Sequence, residues 1–266
     1  MQRTRVGNVE VIALVDNIIP YPAASVYPNA GDELKAYASN LDSDGAVPMN
    51  FGCFLLVDGD ERVLVDTGWG ASNNGKLVDE LRAAGGDVDT VTKVTFTHLH
   101  GDHTGWNVGD DGKATFANAR YLIPKGDWAY YQDQDPSPES FGHDVVPLES
   151  LGCMELIEGE TSVTPSIKAF PTPGHTVGHT SFAIASGGEY GFILGDVVIS
   201  EVDAQRPEFA NSFDWDNGVA RTTRLRTLEH LIERSALVGA SHLPAPGLGH
   251  FVRDGDGSRW EALPPS

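Results

Sequence analysis

The chain has 266 residues, and 38 Asp and Glu against 18 Lys and Arg give it a formal net charge of −20. With 40% apolar residues at this length, the chain can bury a substantial core, which excludes disorder as a whole. So acidic a chain repels phosphates, which argues against nucleic acid and anionic lipid as partners and favours neutral or cationic ones. The two cysteines, Cys53 and Cys153, lie far apart in apolar surroundings and are predicted to be core residues.

Short apolar runs separated by Gly, Asp or Pro predict a strand-rich chain. The predicted strands cover residues 9–15, 53–57, 62–66, 91–96, 119–123, 167–170, 181–185 and 190–194. Between the first two, residues 20–50 contain several prolines and little periodicity. We expect this segment to be a long irregular excursion, either a lid or a surface decoration.

Helical spacing predicts helices at residues 75–84, 125–132 and, most clearly, 216–237. The last helix is expected to bury an apolar stripe and to expose its Arg and Glu side chains. The residues of that stripe are Val219, Leu225, Leu228 and Ile232. The order of strands and helices predicts an α/β or α+β layered fold, with residues 1–266 as a single domain.

The composition also sets expectations for location and partners. No apolar run approaches the roughly 18 residues that a membrane helix needs, and the first residues lack a secretory signal pattern. We therefore expect a soluble, cytoplasmic protein, and the sequence leaves open whether a signal peptide has been removed. The expected partner is a small-molecule substrate, with no nucleic acid and no membrane, and a homodimer is a possible assembly.

Four side chains that can bind metal follow the predicted strand at 91–96, in the sequence T-H-L-H-G-D-H-T-G. His98 and His100 share one side of an extended backbone because side chains alternate along it. A turn after them can direct Asp102 and His103 towards a neighbouring point. A lone His on a strand is usually a polar residue with a hydrogen-bond partner, but four ligand types in so short a stretch predict two adjacent metal positions.

Three further ligand residues follow later strands. His175 lies in the sequence P-G-H-T, Asp196 in G-D after the strand at 190–194, and His242 in S-H after an apolar run. Each lies at the carboxyl end of a strand, where sites on layered sheets usually form. The candidate metal ligands are therefore His98, His100, Asp102, His103, His175, Asp196 and His242.

These motifs resemble the metallo-β-lactamase superfamily, whose HxHxDH signature is matched at residues 98–103. The P-G-H-T, G-D and late His motifs appear in the family's order, and L-V-D-T-G at 64–68 resembles its early Asp-Thr-Gly turn. The resemblance spans residues 9–251 and implies a four-layer αββα sandwich of α/β class with a two-metal site on one edge. It further implies that His98, His100 and His175 hold one ion, that Asp102, His103 and His242 hold the other, and that Asp196 bridges them.

Imidazole and carboxylate ligands suit Zn²⁺ first, and also Mn²⁺, Fe or Co, so we expect two divalent transition-metal ions. Two ions that share a carboxylate can activate a shared water and polarise a carbonyl or phosphoryl oxygen. This chemistry predicts a dinuclear metal-dependent hydrolase of a neutral lactone, ester or phosphotriester that acts through a metal-bridging hydroxide. Asp102 and Asp196 are taken as its catalytic residues.

Within the superfamily, the segment around His242 is most similar to methyl parathion hydrolase and the lactonase-like proteins around it. Asp196 stands where one group of true β-lactamases has a Cys ligand, and no Tyr follows it as in the better-known N-acyl homoserine lactonases. Two alternatives stay open. One is an oxygen-using iron protein of the same fold, similar to persulfide dioxygenase, and the other is a thioesterase similar to glyoxalase II.

Several residues beside the motifs have two possible roles. Asp66 is expected to orient a ligand histidine, His179 to make a hydrogen bond in the core, and Trp106 to pack. His250 either lines the site or braces the loop after His242. The aromatic segment at 207–215 either walls an apolar pocket together with residues 20–50 or packs in the core.

Overall fold

The computed structural model describes residues 1–255 and 257–265 and contains two β-sheets with helices against their outer faces. The strands are β1 (Gln2–Val6), β2 (Val9–Pro22), β3 (Ala46–Asp58), β4 (Glu61–Val65), β5 (Lys93–Thr95), β6 (Arg120–Pro124), β7 (Met154–Ile157), β8 (Ile167–Pro171), β9 (Thr180–Ser186), β10 (Glu189–Ile193), β11 (Leu237–Gly239), β12 (Leu248–Asp254) and β13 (Gly257–Ala262). The α-helices are α1 (Ala23–Val26), α2 (Leu77–Ala83), α3 (Gly101–Thr104), α4 (Lys125–Gln132), α5 (Pro147–Ser150), α6 (Glu201–Gln205) and α7 (Asn217–Glu233). Short 3-10 or π turns occupy Gly31–Asn40, Ala71–Asn73, Val88–Thr90, Phe141–Val145 and Gly195–Val197.

The first sheet contains seven strands in chain order, from β1 to β7. Neighbours are antiparallel from β1 to β4 and parallel from β4 to β7. Parallel neighbours need crossover connections, which here contain α2 between β4 and β5, α3 between β5 and β6, and α4 and α5 between β6 and β7. The carboxyl ends of β4, β5 and β6 consequently lie at the same edge of the sheet.

The second sheet contains six strands in the order β13-β12-β11-β10-β9-β8. Only β10 and β11 are parallel neighbours within it, and the other pairs are antiparallel. Because β9 runs opposite to both β8 and β10, the strands β8, β10 and β11 all point the same way. Their carboxyl ends therefore share one edge of this sheet.

Apolar side chains fill the space between the two sheets and the space under the helices. Along β2 they alternate: Val9 and Val11 lie between the sheets, whereas Ile12 and Leu14 lie under the helices. This alternation follows from the period of two along a strand and buries both faces of β2. The first sheet therefore separates two apolar layers, and a third lies between the second sheet and α7.

Helices cover the outer face of each sheet. Leu77 and Leu81 of α2 and Trp128 of α4 pack on the first sheet, and Leu228 and Leu231 of α7 pack on the second. The layers are therefore helix, sheet, sheet and helix, which confirms the predicted αββα sandwich. None of the helices among the described residues combines the length and the apolarity that a bilayer crossing needs.

The structure adds strands that the sequence pattern did not predict. β1, β7 and β13 lie at sheet edges, and β12 pairs with β13. An edge strand has neighbours on one side only and carries polar residues, so its apolar pattern is weak. The eight strands that were predicted all occur, but β2 extends seven residues beyond its predicted end and β3 begins seven residues before its predicted start.

The segment 20–50, predicted to be irregular, begins and ends in regular structure. Its first residues complete β2 and its last residues begin β3, and Tyr21 pairs with Val47 across this long hairpin. α1 and the turn Gly31–Asn40 form the tip. Tyr27 from this tip packs with Ile199 and Val202 of the second half of the chain.

Helix α7 buries only part of the stripe that its apolar spacing predicts: Leu228 is buried, and Ile232 is half-buried against the same core cluster. Val219 and Leu225 are 37% and 45% exposed, against the prediction. The buried residues are Ala220, Arg224, Thr227, Leu228 and Leu231. The face follows from packing: a Cβ on Gly174, whose φ is +137°, would lie 2.3 Å from the Ala220 Cα, so only small residues let α7 approach this loop.

Candidate metal centre

The seven candidate ligands all lie where strands end, at one edge of the sandwich. His98 and His100 follow β5 in an extended loop, and α3 carries Asp102 and His103 immediately after them. The other ligands come from the second sheet, after β8, β10 and β11. Both sheets therefore contribute, and the parallel direction of these strands brings the loops together.

The first group of ligands consists of three imidazoles. His98 Nε2 lies 2.9 Å from His100 Nδ1, and His175 Nε2 lies 3.1 Å from the same atom. Burial, followed by the charge of His103, keeps the pKa of His98 well below its ordinary value. Burial and the neighbouring His175 lower the pKa of His100 to about 4. The rings of His98 and His100 are therefore neutral at pH 7, the form that binds metal.

The second group consists of Asp102, His103 and His242. Asp102 Oδ2 lies 3.5 Å from the Nε2 atoms of both histidines. Burial alone would raise the pKa of Asp102, but the charge of His103, a hydrogen bond from it and the charge of His242 lower the pKa to about 2. The carboxylate is therefore ionised and can bind a cation.

Asp196 lies between the two groups. Its Oδ2 is 3.3 Å from His175 Nε2 and 3.0 Å from His242 Nε2. Its Oδ1 is 3.3 Å from His103 Nε2 and, among the described residues, has no hydrogen-bond partner although it is buried. A buried acceptor without a partner is rare and is explained when an ion binds there. The donor set and this unpartnered oxygen both fit divalent cations.

The backbone that presents Asp196 depends on Gly195. Its φ is +61°, and a Cβ at this position would lie 2.6 Å from the Thr97 Cβ and 2.7 Å from His179 Nε2. A glycine thus permits close approach of the two sheets beside the ligands. His179 is buried, accepts the Asp196 N–H at 3.0 Å on Nε2 and bonds through Nδ1 to the Thr172 hydroxyl at 2.9 Å. It makes the expected core hydrogen bonds.

Asp66 orients His103. Its Oδ2 accepts a hydrogen bond from His103 Nδ1 at 2.9 Å and from the Thr97 hydroxyl at 2.8 Å, and its Oδ1 accepts the Thr97 N–H at 2.7 Å. The Nδ1 proton fixes the tautomer in which Nε2 points to the ligand cluster. The position of Asp66 in the sequence thus predicted its contact with a ligand imidazole.

The sequence did not predict the groups that orient His175 and His242. Asp214 Oδ1 lies 3.2 Å from His175 Nδ1, and the carbonyl of Asn50 accepts from His242 Nδ1 at 2.7 Å. Asp214 lies in the segment 207–215, whose aromatic residues predicted a pocket wall or core packing and gave no sign of a carboxylate that orients a histidine. The Asn50 carbonyl is backbone and leaves no signal in the sequence.

Asp127 joins two of the loops that carry candidate ligands. It is fully buried, and it accepts hydrogen bonds from the Leu99 N–H at 3.1 Å, the Thr176 hydroxyl at 2.9 Å and the Gly178 N–H at 2.6 Å. Leu99 lies between two ligands, and Thr176 follows a third. Burial raises the pKa of Asp127 while these donors lower it, and the net direction is upward.

A cavity of about 300 Å³ opens over the ligand cluster. Its apolar wall consists of Met49, Phe51, Ile199 and Phe213, with Trp69 and Tyr21 beside them. The aromatic segment and the segment 20–50 both contribute residues, so the pocket interpretation of these segments is confirmed for Phe213, Tyr21 and Met49. Two larger clefts lie elsewhere. One of about 760 Å³ lies on the outer face of α7, and the other, of about 800 Å³, has Asp102 in its lining.

Two of the undecided residues lie outside this cavity. His250 belongs to β12, and its Nδ1 donates to the Ala236 carbonyl at 2.8 Å, so it braces the second sheet and does not line the metal centre. Trp106 donates through Nε1 to the buried Asp16 at 2.8 Å and packs against the outer core.

The family model of the metallo-beta-lactamase superfamily matches residues 53–228, about two thirds of the chain. Together with the fold and the motifs, this match establishes that the chain belongs to the metallo-beta-lactamase superfamily. The predicted resemblance is therefore confirmed at the level of the superfamily.

Among the relatives, an N-acyl homoserine lactonase of a Bacillus species is 27% identical over 154 residues, 50% of this chain and 57% of that protein. An atrochrysone carboxyl ACP thioesterase of Passalora fulva is 26% identical over 163 residues, 60% of this chain and 42% of that protein. The matched region thus spans about half the length of these curated relatives.

Among solved structures, AidC, a dizinc quorum-quenching lactonase in complex with a product, N-hexanoyl-L-homoserine, has a similar fold. It superposes with a TM-score of 0.88 at 24% identity, and the match covers 100% of this chain and 98% of that one. At this identity the likeness establishes the fold alone.

Proposed function

We propose that the protein is a dinuclear metal-dependent hydrolase of uncharged lactones or esters that carry an apolar arm. The observation that carries this proposal is the convergence of seven ligand side chains around the unpartnered Asp196 oxygen, under an apolar cavity. The named activities of the lactonase relative and of AidC support it. The narrower placement beside methyl parathion hydrolase stays a prediction.

In this proposal His98, His100 and His175 hold one ion, Asp102, His103 and His242 hold the other, and Asp196 bridges them. Two divalent ions, Zn²⁺ first, would supply a nucleophilic water at neutral pH and polarise the scissile carbonyl. The neutral imidazoles of His98 and His100 and the ionised carboxylate of Asp102 fit these roles. Because both sheets supply ligands, we also propose that residues 1–266 work as one domain.

The cavity wall sets the expected substrate. Met49, Phe51 and Phe213 would hold an apolar arm and exclude water, with a gain of roughly 25 cal/mol for each Å² of apolar surface buried. The net charge of −20 and the site carboxylates disfavour anionic substrates. An uncharged electrophile with an apolar arm fits both features.

Tyr21 would supply a hydrogen bond to the substrate. It lines the cavity, and burial, followed by the charge of Asp102, raises its pKa, so its hydroxyl stays protonated. The phenol of Tyr21 comes from β2, and it would serve in place of the Tyr that follows the bridging Asp in the better-known N-acyl homoserine lactonases and is missing after Asp196 here. Tyr21→Phe should lower kcat by about 100-fold with both ions retained, since loss of one oxyanion donor costs about that much. An unchanged kcat would remove Tyr21 from the mechanism.

The test of the function combines metal analysis with a substrate panel. Purified protein, loaded with Zn²⁺ and freed of excess, should contain about two ions per chain and hydrolyse neutral lactones faster than carboxylated analogues at low salt. His242→Ala should lose one ion. His143→Ala is the matched control, because His143 is 67% exposed and lies outside the ligand cluster. A single ion in wild-type protein and in His242→Ala alike would refute the dinuclear centre.

A second candidate is thioester hydrolysis, which the thioesterase relative favours. The same two ions would serve it, so the panel includes acyl thioesters beside lactones, aryl esters and phosphotriesters. A kcat/KM higher for thioesters than for lactones would select this candidate. Iron in the purified protein with oxygen uptake would instead identify an oxygen-using enzyme.

A further inference from the structure

Arg224 is the largest fully buried side chain among the described residues, with 1% of its surface exposed. It lies on α7, between the second sheet and the loops that carry His175 and Asp196. A buried guanidinium is costly unless each of its donors has a partner. We propose that Arg224 is a positioning residue of the metal centre, which holds His175 and Asp196 in place at the same time. This inference rests on the metal centre of the proposed function.

The three nitrogens of Arg224 donate to three different segments. Nη2 donates to Asp214 Oδ2 at 3.2 Å, Nε to the Val197 carbonyl at 2.8 Å and Nη1 to the Pro207 carbonyl at 3.3 Å. All three segments belong to the loops that follow β10 and precede α7. One side chain thus joins the turn before α6 to two points of the chain after it.

Two of these contacts lead directly to ligands. Asp214 uses its other oxygen, Oδ1, to bind His175 Nδ1 at 3.2 Å, so Arg224 and His175 share one buried carboxylate. Val197 is the residue after Asp196 and ends the short 3-10 turn that presents the Asp196 side chain. Arg224 therefore fixes the ring of one ligand and the backbone of another.

The charges around Arg224 match this role. Burial acts to lower the pKa of the guanidinium, but the carboxylates of Asp203 and Asp214 raise it, and the net direction is upward. Arg224 thus stays charged. Asp203 Oδ2 accepts the Ile199 N–H at 2.9 Å and the Ser200 N–H at 3.3 Å, which extends the same anchoring along the segment after Asp196.

Only Arg satisfies all three acceptors. Its guanidinium presents donors in a rigid planar fork, whereas the ammonium of Lys is a single point with a shorter reach. Arg224→Lys keeps the charge beside Asp214 and loses at least one carbonyl contact. Arg224→Met keeps much of the apolar volume and loses every contact, which leaves Asp214 free to turn away from His175.

The test measures Zn²⁺ affinity by competition with a chelating dye at 20 °C, with circular dichroism to establish that each variant is folded. Arg224→Met should bind the ion at His175 about 10–100-fold more weakly than wild type, as expected when a group that orients a ligand is lost, and it should also bind the other ion more weakly because Asp196 would bridge both. Arg224→Lys should recover part of this loss. Arg226→Met, the same substitution at an exposed position of the same helix, should bind both ions as wild type does.

A purely structural role would lower the melting temperature of Arg224→Met and leave the ion affinities of the folded protein equal to those of Arg226→Met. That result would overturn the inference. If Arg224→Met does not fold, Asp214→Asn replaces it, since the amide keeps the shape and can accept from only one of its two former donors. Unchanged ion affinities in folded Asp214→Asn would also overturn it.

The outcome for Arg224 is separable from the outcome for the proposed function. If wild-type protein binds two ions but hydrolyses no lactone, ester or thioester, the proposed function is refuted. The Zn²⁺ affinities of the Arg224 variants still test the role of Arg224 in that case. Wild-type protein that hydrolyses lactones, with unchanged affinities in Arg224→Met, refutes the role of Arg224 alone.

Discussion

The carboxylate of Asp66 allows a quantitative test of how this chain orients a ligand imidazole. It accepts hydrogen bonds from His103 Nδ1, from the Thr97 hydroxyl and from the Thr97 N–H. Asp66 also has a φ of +62°, a left-handed conformation that Asn adopts readily and Ala does not. Asp66→Asn therefore loses one acceptor without backbone strain, whereas Asp66→Ala loses every acceptor and strains the backbone as well.

In Asp66→Asn, the amide oxygen best replaces Oδ2, where it serves both His103 and the Thr97 hydroxyl. The amide nitrogen then faces the Thr97 N–H, and that buried donor loses its acceptor, at a cost of about 1–3 kcal/mol in the free energy of unfolding. Asp66→Ala leaves three donors without an acceptor and adds about 1 kcal/mol of backbone strain, so we expect a loss of at least about 4 kcal/mol. Asp66→Ala should bind the ion at His103 about 10–100-fold more weakly, whereas Asp66→Asn keeps the acceptor for His103 Nδ1 and should bind that ion nearly as wild type does.

Urea unfolding of chelator-treated protein measures the stability, and competition with a zinc chelator measures the affinity. Asp60→Asn is the control, since Asp60 is exposed and lies at the turn between β3 and β4. If Asp66→Ala binds both ions as Asp60→Asn does, the proposed orientation of His103 is wrong. If Asp66→Asn stays within about 0.5 kcal/mol of Asp60→Asn in the free energy of unfolding, the expected loss of the acceptor for the Thr97 N–H is wrong.

Three further predictions follow from the same geometry. Asp127→Asn should lower the free energy of unfolding by about 1–3 kcal/mol, because three donors from two ligand loops share its carboxylate; an unchanged urea midpoint would argue against this role. In chelator-treated protein, burial and then the charge of His175 lower the pKa of His179 from 6.5 to about 3, so its stabilising contribution is complete above pH 6.5 and is lost as the pH falls towards 3. Between pH 7 and 5, the free energy of unfolding of wild type should therefore fall by about 2 kcal/mol more than that of His179→Gln, at about 1.4 kcal/mol per pH unit below 6.5. Equal decreases for the two proteins in urea unfolding would contradict this. Chelation should lower the melting temperature by about 5–10 °C for each ion that is present at about 100 times its Kd, reversibly on addition of Zn²⁺, whereas a melting temperature indifferent to chelator would count against a metal centre.

The sequence singled out the candidate ligands, which the structure brings together, because each belongs to a short motif at the end of an apolar run. The four ligands at 98–103 are close in sequence, and His175, Asp196 and His242 each follow a strand that apolar spacing reveals. The class of fold followed from the order of these runs and from the family resemblance. Local information was sufficient for these features.

The groups that orient the ligands needed the tertiary structure. Helical periodicity assigns an Arg on an amphipathic helix to solvent, and it placed Val219 and Leu225 in the core instead of Arg224. The burial of Arg224 becomes intelligible only when the acceptors on Asp214 and Val197 are known, and these lie in loops without periodicity. Edge strands such as β1 escaped prediction for a related reason, because one side of them needs no partner.

The order of the sheets along the chain has a consequence for assembly. The first sheet uses the chain up to residue 157 and the second uses it from residue 167, so each sheet is a continuous half of the protein. Four candidate ligands come from the first half and three from the second. Neither half alone can complete the ligand set, so an ion that binds tightly recognises only the joined halves and adds its binding free energy to their association. After cleavage between residues 158 and 166, tight ion binding would therefore require that the two resulting polypeptides associate.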